Sequence, residues 1–323
     1  MNFRTIDNAG ACEGFCLIKA VEKKTTAKGM AYLDMTVSDA SGEMNAKLWD
    51  YNEERHGVYA AGDIIKLRGT IAPYNGVDQL RIERIRPALP QDGINPADYV
   101  KSTDFAPERM FDEIYALAQS LSDPTMQTLV TAMLDDHKEK MLYWPAAFKL
   151  HHAIRGGLLY HTLSIIRLAQ NVCKVYTFVN QDLLIAGAIL HDIAKLYEFE
   201  VTATGIASGY STEGNLIGHL AKGAMLIDRY AQKLQTPPHT AMLLEHMVLS
   251  HHGEPEFGAA VRPQFLEAEL LSELDLMDAR VYEMREAVSA AATGEFSARL
   301  WALDNRKLYN HGTSDLESPV ELF

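Results

Sequence analysis

The chain has 323 residues and a net charge of −13, with 47% hydrophobic and 23% charged residues. That length favours two domains over one, and that composition is typical of an ordinary globular protein. The longest strongly apolar run, residues 183–190, is far shorter than the roughly 20 residues that a membrane-spanning helix requires. We therefore expect no membrane association.

The N-terminal segment and the cysteines indicate the compartment. Residues 1–15 contain no apolar core typical of a secretory signal. Cys12, Cys16 and Cys173 are odd in number and have no C-x-x-C spacing, which argues against a disulfide framework and against a zinc ribbon. A reducing cytoplasm is the expected location.

The negative charge is unevenly distributed. Residues 1–90 contain 12 Lys and Arg against 12 Asp and Glu, whereas residues 91–323 contain 18 against 31. An acidic protein is ordinarily a poor partner for nucleic acid. Here the net acidity is confined to residues 91–323. The charge therefore permits a nucleic-acid substrate without favouring one.

Residues 14–88 contain five short segments rich in β-forming residues, separated by Lys-Gly, Ser-Gly and Asn-Gly turn signals. Apolar and polar residues alternate at 33–37 and at 64–68. Five strands with such turns predict a small closed β-barrel. The order of the segments KGMAYLDMTVSDASGEMNAKLWD and AAGDIIKLRGTIAPYNGVDQLRI resembles an OB-fold of the nucleic-acid-binding type. We assign residues 1–90 to this domain.

Aromatic and basic side chains of the barrel are candidates for contacts with single-stranded nucleic acid. An aromatic ring stacks on any base and contributes roughly 1–3 kcal/mol per base, while cations attract phosphates. Two alternatives remain open, because an aromatic can fill the barrel core and because OB-folds also dock proteins. The predicted contacts are Tyr32, Lys47, Trp49, Arg68 and Tyr74, with Phe15, Tyr51 and Lys66 as further candidates.

A helical domain follows the barrel. Residues 91–106 are predicted to be a linker, because the segment PALPQDGINPADYVKST at residues 87–103 contains three prolines and a glycine. From Pro107 the apolar residues recur at intervals of three and four, and this pattern continues to about residue 292, so residues 107–292 are predicted to form an all-α bundle. Residues 293–323 form a tail that either contacts RNA or packs on the bundle. Its candidate RNA contacts are Trp301, Arg306, Lys307 and Tyr309.

Histidines and carboxylates recur along the helical domain at intervals that place one ligand group on each successive helix. Facing helices of a bundle direct such side chains to one point, which is how metal sites in bundle cores are built. Imidazole suits Fe, Mn and Zn, whereas carboxylate suits Mn and Mg. Two ions roughly 3.5–4 Å apart stabilise the attacking and leaving oxygens of a phosphoryl displacement. The series, which predicts a metal-centred hydrolase, is His161, His191, Asp192, His219, His251 and Asp275.

This series resembles the HD-domain superfamily of metal-dependent phosphohydrolases. The resemblance implies a first metal held by His161, His191, Asp192 and Asp275, and a second held by Asp192, His219 and His251. Asp278 is the alternative to Asp275, and His252 is the alternative to His251. Lys195 is the second predicted catalytic residue beside Asp192, in contact with the scissile phosphate; its alternative role is that of a cation at a helix C-terminus.

The barrel joined to the helical domain resembles the YhaM-type 3′→5′ exoribonucleases nearly end to end, through RGGLLYHTLS, AGAILHDIAKLYEF, HMVLSHHGEPEFG and LWALDNRKLY. The resemblance implies two divalent ions, with Mn²⁺ favoured over Fe, Mg²⁺ or Co²⁺. It also implies trimming of single-stranded RNA, with single-stranded DNA as a further substrate, to nucleoside 5′-monophosphates. The alternatives are a phosphohydrolase of a small nucleotide or cyclic dinucleotide and a non-catalytic RNA-binding protein. The oligomeric state stays open, with apolar surface on helices such as residues 241–250 as a candidate self-interface for a homo-oligomer.

Overall fold

The computed structural model describes residues 10–39, 42–74, 77–94, 96–99, 102–147, 154–202 and 204–323. Two compact units divide the chain. The first comprises Met1–Ser102 with Val201–Ser208, and the second comprises Thr103–Glu200 with Gly209–Phe323. The predicted linker, residues 91–106, spans the division at Ser102.

The first unit is a β-barrel with one short helix. Its strands are β1 (Ala11–Thr25), β2 (Ala31–Asp39), β3 (Gly42–Leu48), β4 (Ile64–Tyr74) and β5 (Val77–Pro87), and helix α1 (Glu53–His56) precedes β4. The barrel closes in the order β1-β2-β3-β5-β4. Strands β3 and β5 pair in parallel and the other neighbours are antiparallel. This order confirms the predicted five-stranded OB-fold barrel.

Alternating side chains of the strands fill the interior of the barrel. The most buried members of this core are Cys16, Ile18, Met35, Val37, Ala46, Ile65, Leu67, Ile71 and Leu80. Gly69 lies at an irregularity in the pairing of β4 with β5. A Cβ atom at this position would lie 2.3 Å from the carbonyl oxygen of Arg81, so the close approach of the two backbones requires glycine.

The second unit is helical. Its helices are α2 (Pro107–Gln119), α3 (Pro124–Met141), α4 (Gly157–Val175), α5 (Gln181–Leu190), α6 (Lys195–Glu198), α7 (Thr212–Leu216), α8 (Gly218–Leu234), α9 (Pro238–Ser250) and α10 (Leu266–Ser289). This architecture confirms the predicted helical bundle. Two further strands, β6 (Phe199–Val201) and β7 (Ala207–Tyr210), have residues in both units and are too short to show an alternating pattern in the sequence.

Capping residues set where the helices begin. The side chain of Asp123 accepts hydrogen bonds from the backbone N–H groups of Thr125 and Met126 at the start of α3. Asn180 accepts one from the N–H of Leu183 at the start of α5. These bonds satisfy donors that would otherwise have no partner within the helix. The residues at which both helices begin are therefore set by local hydrogen bonds.

Helix α5 lies at the centre of the bundle, where it contacts α4, α9 and α10. Every residue from Leu183 to Leu190 is buried. The next two residues, His191 and Asp192, follow the helix directly and are buried as well. Because the apolar helix is buried along residues 183–190, the imidazole and the carboxylate that follow it lie in the interior of the unit.

The C-terminal tail packs on α10. Leu303 and Leu308 form a small core with Ala287 of that helix, in agreement with the packing alternative for this segment. Trp301, in contrast, is 79% exposed. The three cysteines are buried and free. Within the described ranges, no helix has both the length and the apolar character needed to span a membrane.

Candidate metal centre and nucleic-acid surface

The predicted metal ligands come from five segments of the second unit. Helix α4 carries His161, the turn after α5 carries His191 and Asp192, the first turn of α8 carries His219, the residue after α9 is His251, and α10 carries Asp275. The structure brings all six side chains together around one point. Five of them are at most 8% exposed as whole residues, and the side chain of Asp275 is 17% exposed.

Asp192 lies in the middle of the group. Its Oδ2 atom is 3.6 Å from Nε2 of His161 and 3.4 Å from Nε2 of His191. Its Oδ1 atom is 3.6 Å from Nε2 of His219 and 3.6 Å from Nε2 of His251. Each oxygen of the carboxylate therefore faces its own pair of imidazoles. This arrangement suits a carboxylate that bridges two cations.

Backbone carbonyl groups orient two of the four imidazoles. Nδ1 of His191 is 2.8 Å from the carbonyl oxygen of Ala188, and Nδ1 of His251 is 2.8 Å from that of Val248. A carbonyl oxygen can only accept, so Nδ1 carries the proton in both rings. Nε2 of each ring is then left with a lone pair that points toward Asp192.

Carboxylates orient the other two imidazoles. Nδ1 of His161 lies 2.8 Å from Oδ2 of Asp278, and the other oxygen of that carboxylate, Oδ1, accepts a hydrogen bond from the hydroxyl group of Ser164. Nδ1 of His219 lies 2.9 Å from Oε1 of Glu198. Such partners fix the ring orientation of a metal-binding histidine and raise its basicity.

Three buried atoms at the centre have no hydrogen-bond partner among the described residues: Oδ1 of Asp192, Nε2 of His219 and Nε2 of His251. Leaving such groups without a partner costs roughly 1–3 kcal/mol each, more when the group is charged. All three are acceptors that face one another, which is the environment that a cation satisfies. The residues present therefore fit a divalent metal ion.

The geometry separates two groups of potential ligand atoms. The atoms within each group lie within 4.8 Å of one another. One group is His161, His191 and Asp192, and the other is His219, His251 and His252. His252, the alternative to His251, thus joins the second group, although its Nδ1 atom is 2.9 Å from the carbonyl oxygen of Phe257.

The two candidate aspartates of α10 occupy different places. Oδ1 of Asp275 is 3.0 Å from Nε2 of His161, on the side of the ring that faces the centre. Asp278 contacts Nδ1 of the same ring, on the far side. Asp275 therefore has the position of a ligand, and Asp278 that of a group that orients a ligand.

Glu198 was not among the residues predicted from the sequence. It lies seven residues after His191, and a second charged residue after Lys195 in the stretch IAKLYEF is a signal that could have indicated it. Its carboxylate also accepts a hydrogen bond of 3.3 Å from the backbone N–H of His219.

Burial and neighbouring charges shift the pKa values at the centre. Burial lowers the pKa of His251 to about 3, which keeps its ring neutral. Burial would also lower the pKa of His161, but its hydrogen bonds to Asp275 and Asp278 outweigh burial and raise it to about 10. These carboxylates therefore favour positive charge beside His161, as either a proton or a metal ion.

Lys195 lies beside the central carboxylate, with its Nζ atom 2.7 Å from Oδ2 of Asp192. Burial would raise the pKa of Asp192, but its interactions with neighbouring side chains, led by the charge of Lys195, outweigh burial and hold it well below its usual range. The indole N–H of Trp144 donates a 2.8 Å hydrogen bond to the carbonyl oxygen of Lys195, which fixes the backbone there.

In the barrel, three of the predicted nucleic-acid contacts form one surface. The rings of Tyr32 and Trp49 stack with their centroids 4.7 Å apart and their planes 29° apart. Nζ of Lys47 lies 5.3 Å from the centroid of Tyr32 and 5.6 Å from that of Trp49. We call these three residues the aromatic surface. It combines stacking rings with a cation.

The other barrel candidates lie elsewhere. Arg68 is on β4, where its backbone lies opposite that of Glu13 on β1. It is not part of the aromatic surface. Tyr51 is 8% exposed and donates a hydrogen bond to the carbonyl oxygen of Gly57, so it belongs to the core. The side chain of Tyr74 lies outside the described residues.

Comparison with known proteins finds a family model for the helical unit and relatives along nearly the whole chain. The HD domain family model matches residues 158–280. A 3′-5′ exoribonuclease YhaM of Listeria welshimeri is 38% identical, over 92% of this chain and 94% of its own length. That of Oceanobacillus iheyensis is 36% identical, over 95% of each chain. The solved second OB-fold domain of replication protein A from Methanococcus maripaludis is 16% identical over 27% of this chain and 94% of its own, with a TM-score of 0.22.

The HD match covers the whole candidate metal centre, from His161 to Asp275. An HD domain implies binding of a divalent metal, and the two histidine and aspartate groups are able to provide it. The relatives named above match nearly the full length of the chain at more than one third identity. The chain therefore belongs to the YhaM family of 3′-5′ exoribonucleases.

Proposed function

We propose that this protein is a metal-dependent 3′→5′ exoribonuclease that hydrolyses single-stranded RNA to nucleoside 5′-monophosphates. The observation that carries the proposal is the Asp192 carboxylate between two pairs of imidazoles whose Nε2 atoms face it. The names of its full-length relatives support the direction of attack and the choice of RNA.

The proposed ligands are those of the HD series. The first ion is held by His161, His191, Asp192 and Asp275, and the second by Asp192, His219 and His251. A mixed set of imidazole and carboxylate favours Mn²⁺ or Fe over Mg²⁺. When bound, two such ions make a water molecule more acidic and stabilise the charge on the attacking and leaving oxygens of the phosphodiester.

The residues of the chain hold and orient the reacting groups. Asp192 fixes the distance between the two sets of ligands, because each of its oxygens faces one set. Lys195 supplies a fixed positive charge: burial would lower its pKa, but the charge of Asp192 and the hydrogen bond to it outweigh burial and raise it. We assign to Lys195 a contact with a non-bridging oxygen of the scissile phosphate, where that charge stabilises the transition state.

The barrel holds the RNA strand. Tyr32 and Trp49 stack on bases, and Lys47 attracts the neighbouring phosphate. Stacking does not depend on the identity of the base, so this contact suits an enzyme that degrades many sequences. Single-stranded DNA offers the same bases and phosphates and is proposed as a weaker substrate.

The test uses 5′-labelled single-stranded RNA with Mn²⁺. We expect a ladder that shortens from the 3′ end, and intact RNA with EDTA or with the Asp192→Ala variant. Asp112→Ala, at an exposed position of α2, is the matched control and should cleave normally. Intact RNA with the wild-type protein would overturn the proposal, and hydrolysis of a cyclic dinucleotide by the same sample would then favour the small-nucleotide alternative.

A further inference from the structure

A cavity of about 420 Å³ opens on the outside of the barrel, beside β1, β4, β5 and α1. The aromatic surface lies on β2, on β3 and just after β3, which is the face that OB-folds ordinarily use for nucleic acid. The cavity is therefore a separate feature of the barrel. We call it the cationic pocket, after the five basic side chains that line it: Arg55, Lys66, Arg68, Arg84 and Arg86.

The pairing of β4 with β5 places these cations against one another. Lys66 lies directly opposite Arg86, and Arg68 lies directly opposite Arg84. Like charges that are directly opposite on neighbouring strands destabilise a sheet. Two such pairs in succession therefore oppose the stability of the barrel, and a bound anion would remove the conflict.

Carboxylates of the barrel only partly compensate this charge. Lys66 is 3.3 Å from Glu13, and Arg68 is 4.0 Å from Glu83. These four side chains are 35–53% exposed, so the ion pairs are weak. A ligand with higher charge density can displace them.

Two members of the pocket have no such partner. Within the described part of the chain, neither Arg55 nor Arg84 forms an ion pair, whereas Arg86 makes a two-pronged pair with Asp92 at 2.7 Å. Five cations against the three carboxylates of Glu13, Glu83 and Asp92 leave the pocket with a surplus of two positive charges. This surplus contrasts with the net charge of −13 of the whole chain.

We propose that the cationic pocket binds consecutive phosphate groups of single-stranded RNA, at a place distinct from the aromatic surface. The inference rests on the proposed function for the identity of the polyanion. Lys66 and Arg68 are two residues apart on one strand, hence roughly 6.6 Å apart, and such a row suits a chain of phosphates better than one small anion. Arginine also binds phosphate through two parallel hydrogen bonds.

The test compares full-length variants in a binding assay with EDTA, so that no hydrolysis occurs. A fluorescent single-stranded RNA of about 20 nucleotides exceeds the roughly 4–16 nucleotides that one OB-fold covers. Its Kd is measured at several salt concentrations. The Arg55→Ala/Arg84→Ala variant should raise Kd about tenfold and reduce the slope of log K against log salt by about 1.4, because each contact with a single strand contributes about 0.7.

Two further variants separate charge from folding. Arg55→Lys/Arg84→Lys keeps the charge, so it should keep the salt slope and recover part of the affinity. Lys174→Ala/Lys233→Ala removes two exposed cations of the helical unit and should bind like the wild type. A wild-type Kd and salt slope in Arg55→Ala/Arg84→Ala would overturn the proposal. The same loss of affinity in Lys174→Ala/Lys233→Ala would overturn it as well.

The proposed function is tested apart from the pocket. Wild-type protein with Mn²⁺ is incubated with the same RNA, and an absence of shortening contradicts the exonuclease assignment. The binding result without metal stands independently of that outcome. If Arg55→Ala/Arg84→Ala binds RNA more weakly and the wild-type protein is inactive, RNA binding by the cationic pocket is supported and only the proposed activity is refuted.

Discussion

The carboxylate of Asp278 accepts a hydrogen bond of 2.8 Å from Nδ1 of His161, across 117 positions of the chain. On the other side of the same ring, Nε2 faces Asp275 at 3.0 Å. The imidazole is thus held by an acid on each side. Glu198 plays the corresponding part for His219, so each of the two ligand groups contains one histidine oriented by a carboxylate.

Removing this orientation should weaken metal binding without unfolding the protein. We expect Asp278→Ala to raise the Kd for Mn²⁺ by about 10–100-fold, the usual effect of losing such a partner. Titration calorimetry measures the change, and Glu198→Ala should do the same at the other group. Glu273→Ala, at an exposed position of α10, is the control. An unchanged Mn²⁺ affinity in Asp278→Ala would show that the hydrogen bond has no such role.

The central position of Asp192 predicts how many ions each variant retains. Asp192→Asn should lose both ions, because each carboxylate oxygen faces one pair of imidazoles. His251→Ala should lose one ion and keep the other. Metal content after dialysis, measured by elemental analysis, distinguishes the two results. Retention of one full equivalent of metal by Asp192→Asn would contradict a bridging role.

Lys195 should affect the rate more than the metal content. In Lys195→Met we expect kcat to fall about 10²–10³-fold, the typical loss when a group that stabilises transition-state charge is removed. Lys195→Arg should restore part of the rate, and both variants should keep their Mn²⁺. A Met variant with wild-type kcat would leave Lys195 only the role of a counter-ion to Asp192.

The aromatic surface should contribute to RNA affinity through stacking. Trp49→Ala should raise the Kd for single-stranded RNA in EDTA by about 5–150-fold, which corresponds to roughly 1–3 kcal/mol per stacked base. Because no charge is removed, the salt slope should stay unchanged, in contrast to the variants of the cationic pocket. Trp49→Phe should bind more tightly than Trp49→Ala. Equal affinities for wild type and Trp49→Ala would exclude this residue from the RNA contact.

The cap of helix α3 should make stability depend on pH. Hydrogen bonds from Thr125 and Met126 lower the pKa of Asp123, so the cap stabilises the fold above the unfolded pKa, and this contribution is lost as pH falls through the folded pKa. Asp123→Ala should cost about 0.5–2 kcal/mol in the free energy of unfolding near neutral pH. Below about pH 4 the difference should shrink, because the wild type then loses the same contribution.

Urea denaturation at several pH values measures this effect. Asp123→Asn is the matched variant, because asparagine caps a helix and does not titrate. It should be nearly as stable as the wild type near neutral pH and lose less stability in acid. A cost of Asp123→Ala that stays constant down to about pH 3 would contradict the assignment of the pKa shift to the cap.

The local pattern of the sequence determined the two architectures. Alternation at residues 33–37 and 64–68 predicts strands because successive side chains of a strand point to opposite faces. The recurrence of apolar residues at intervals of three and four after Pro107 predicts helices, because residues at that spacing lie on one face of a helix. The HD series also predicted that six histidine and aspartate side chains meet at one centre. The structure brings all six together, and their roles as metal ligands stay predictions.

Only the tertiary structure decided how these groups face one another. Which nitrogen of His161 points at Asp192 depends on Asp278, more than 100 residues away, and no local pattern encodes such a contact. The opposition of Lys66 to Arg86 likewise depends on the register of β4 against β5, since a shift of one residue would turn one of them inward. The sequence determines which side chains are present at each position. The orientation of those side chains is set by packing between segments that are distant in the chain.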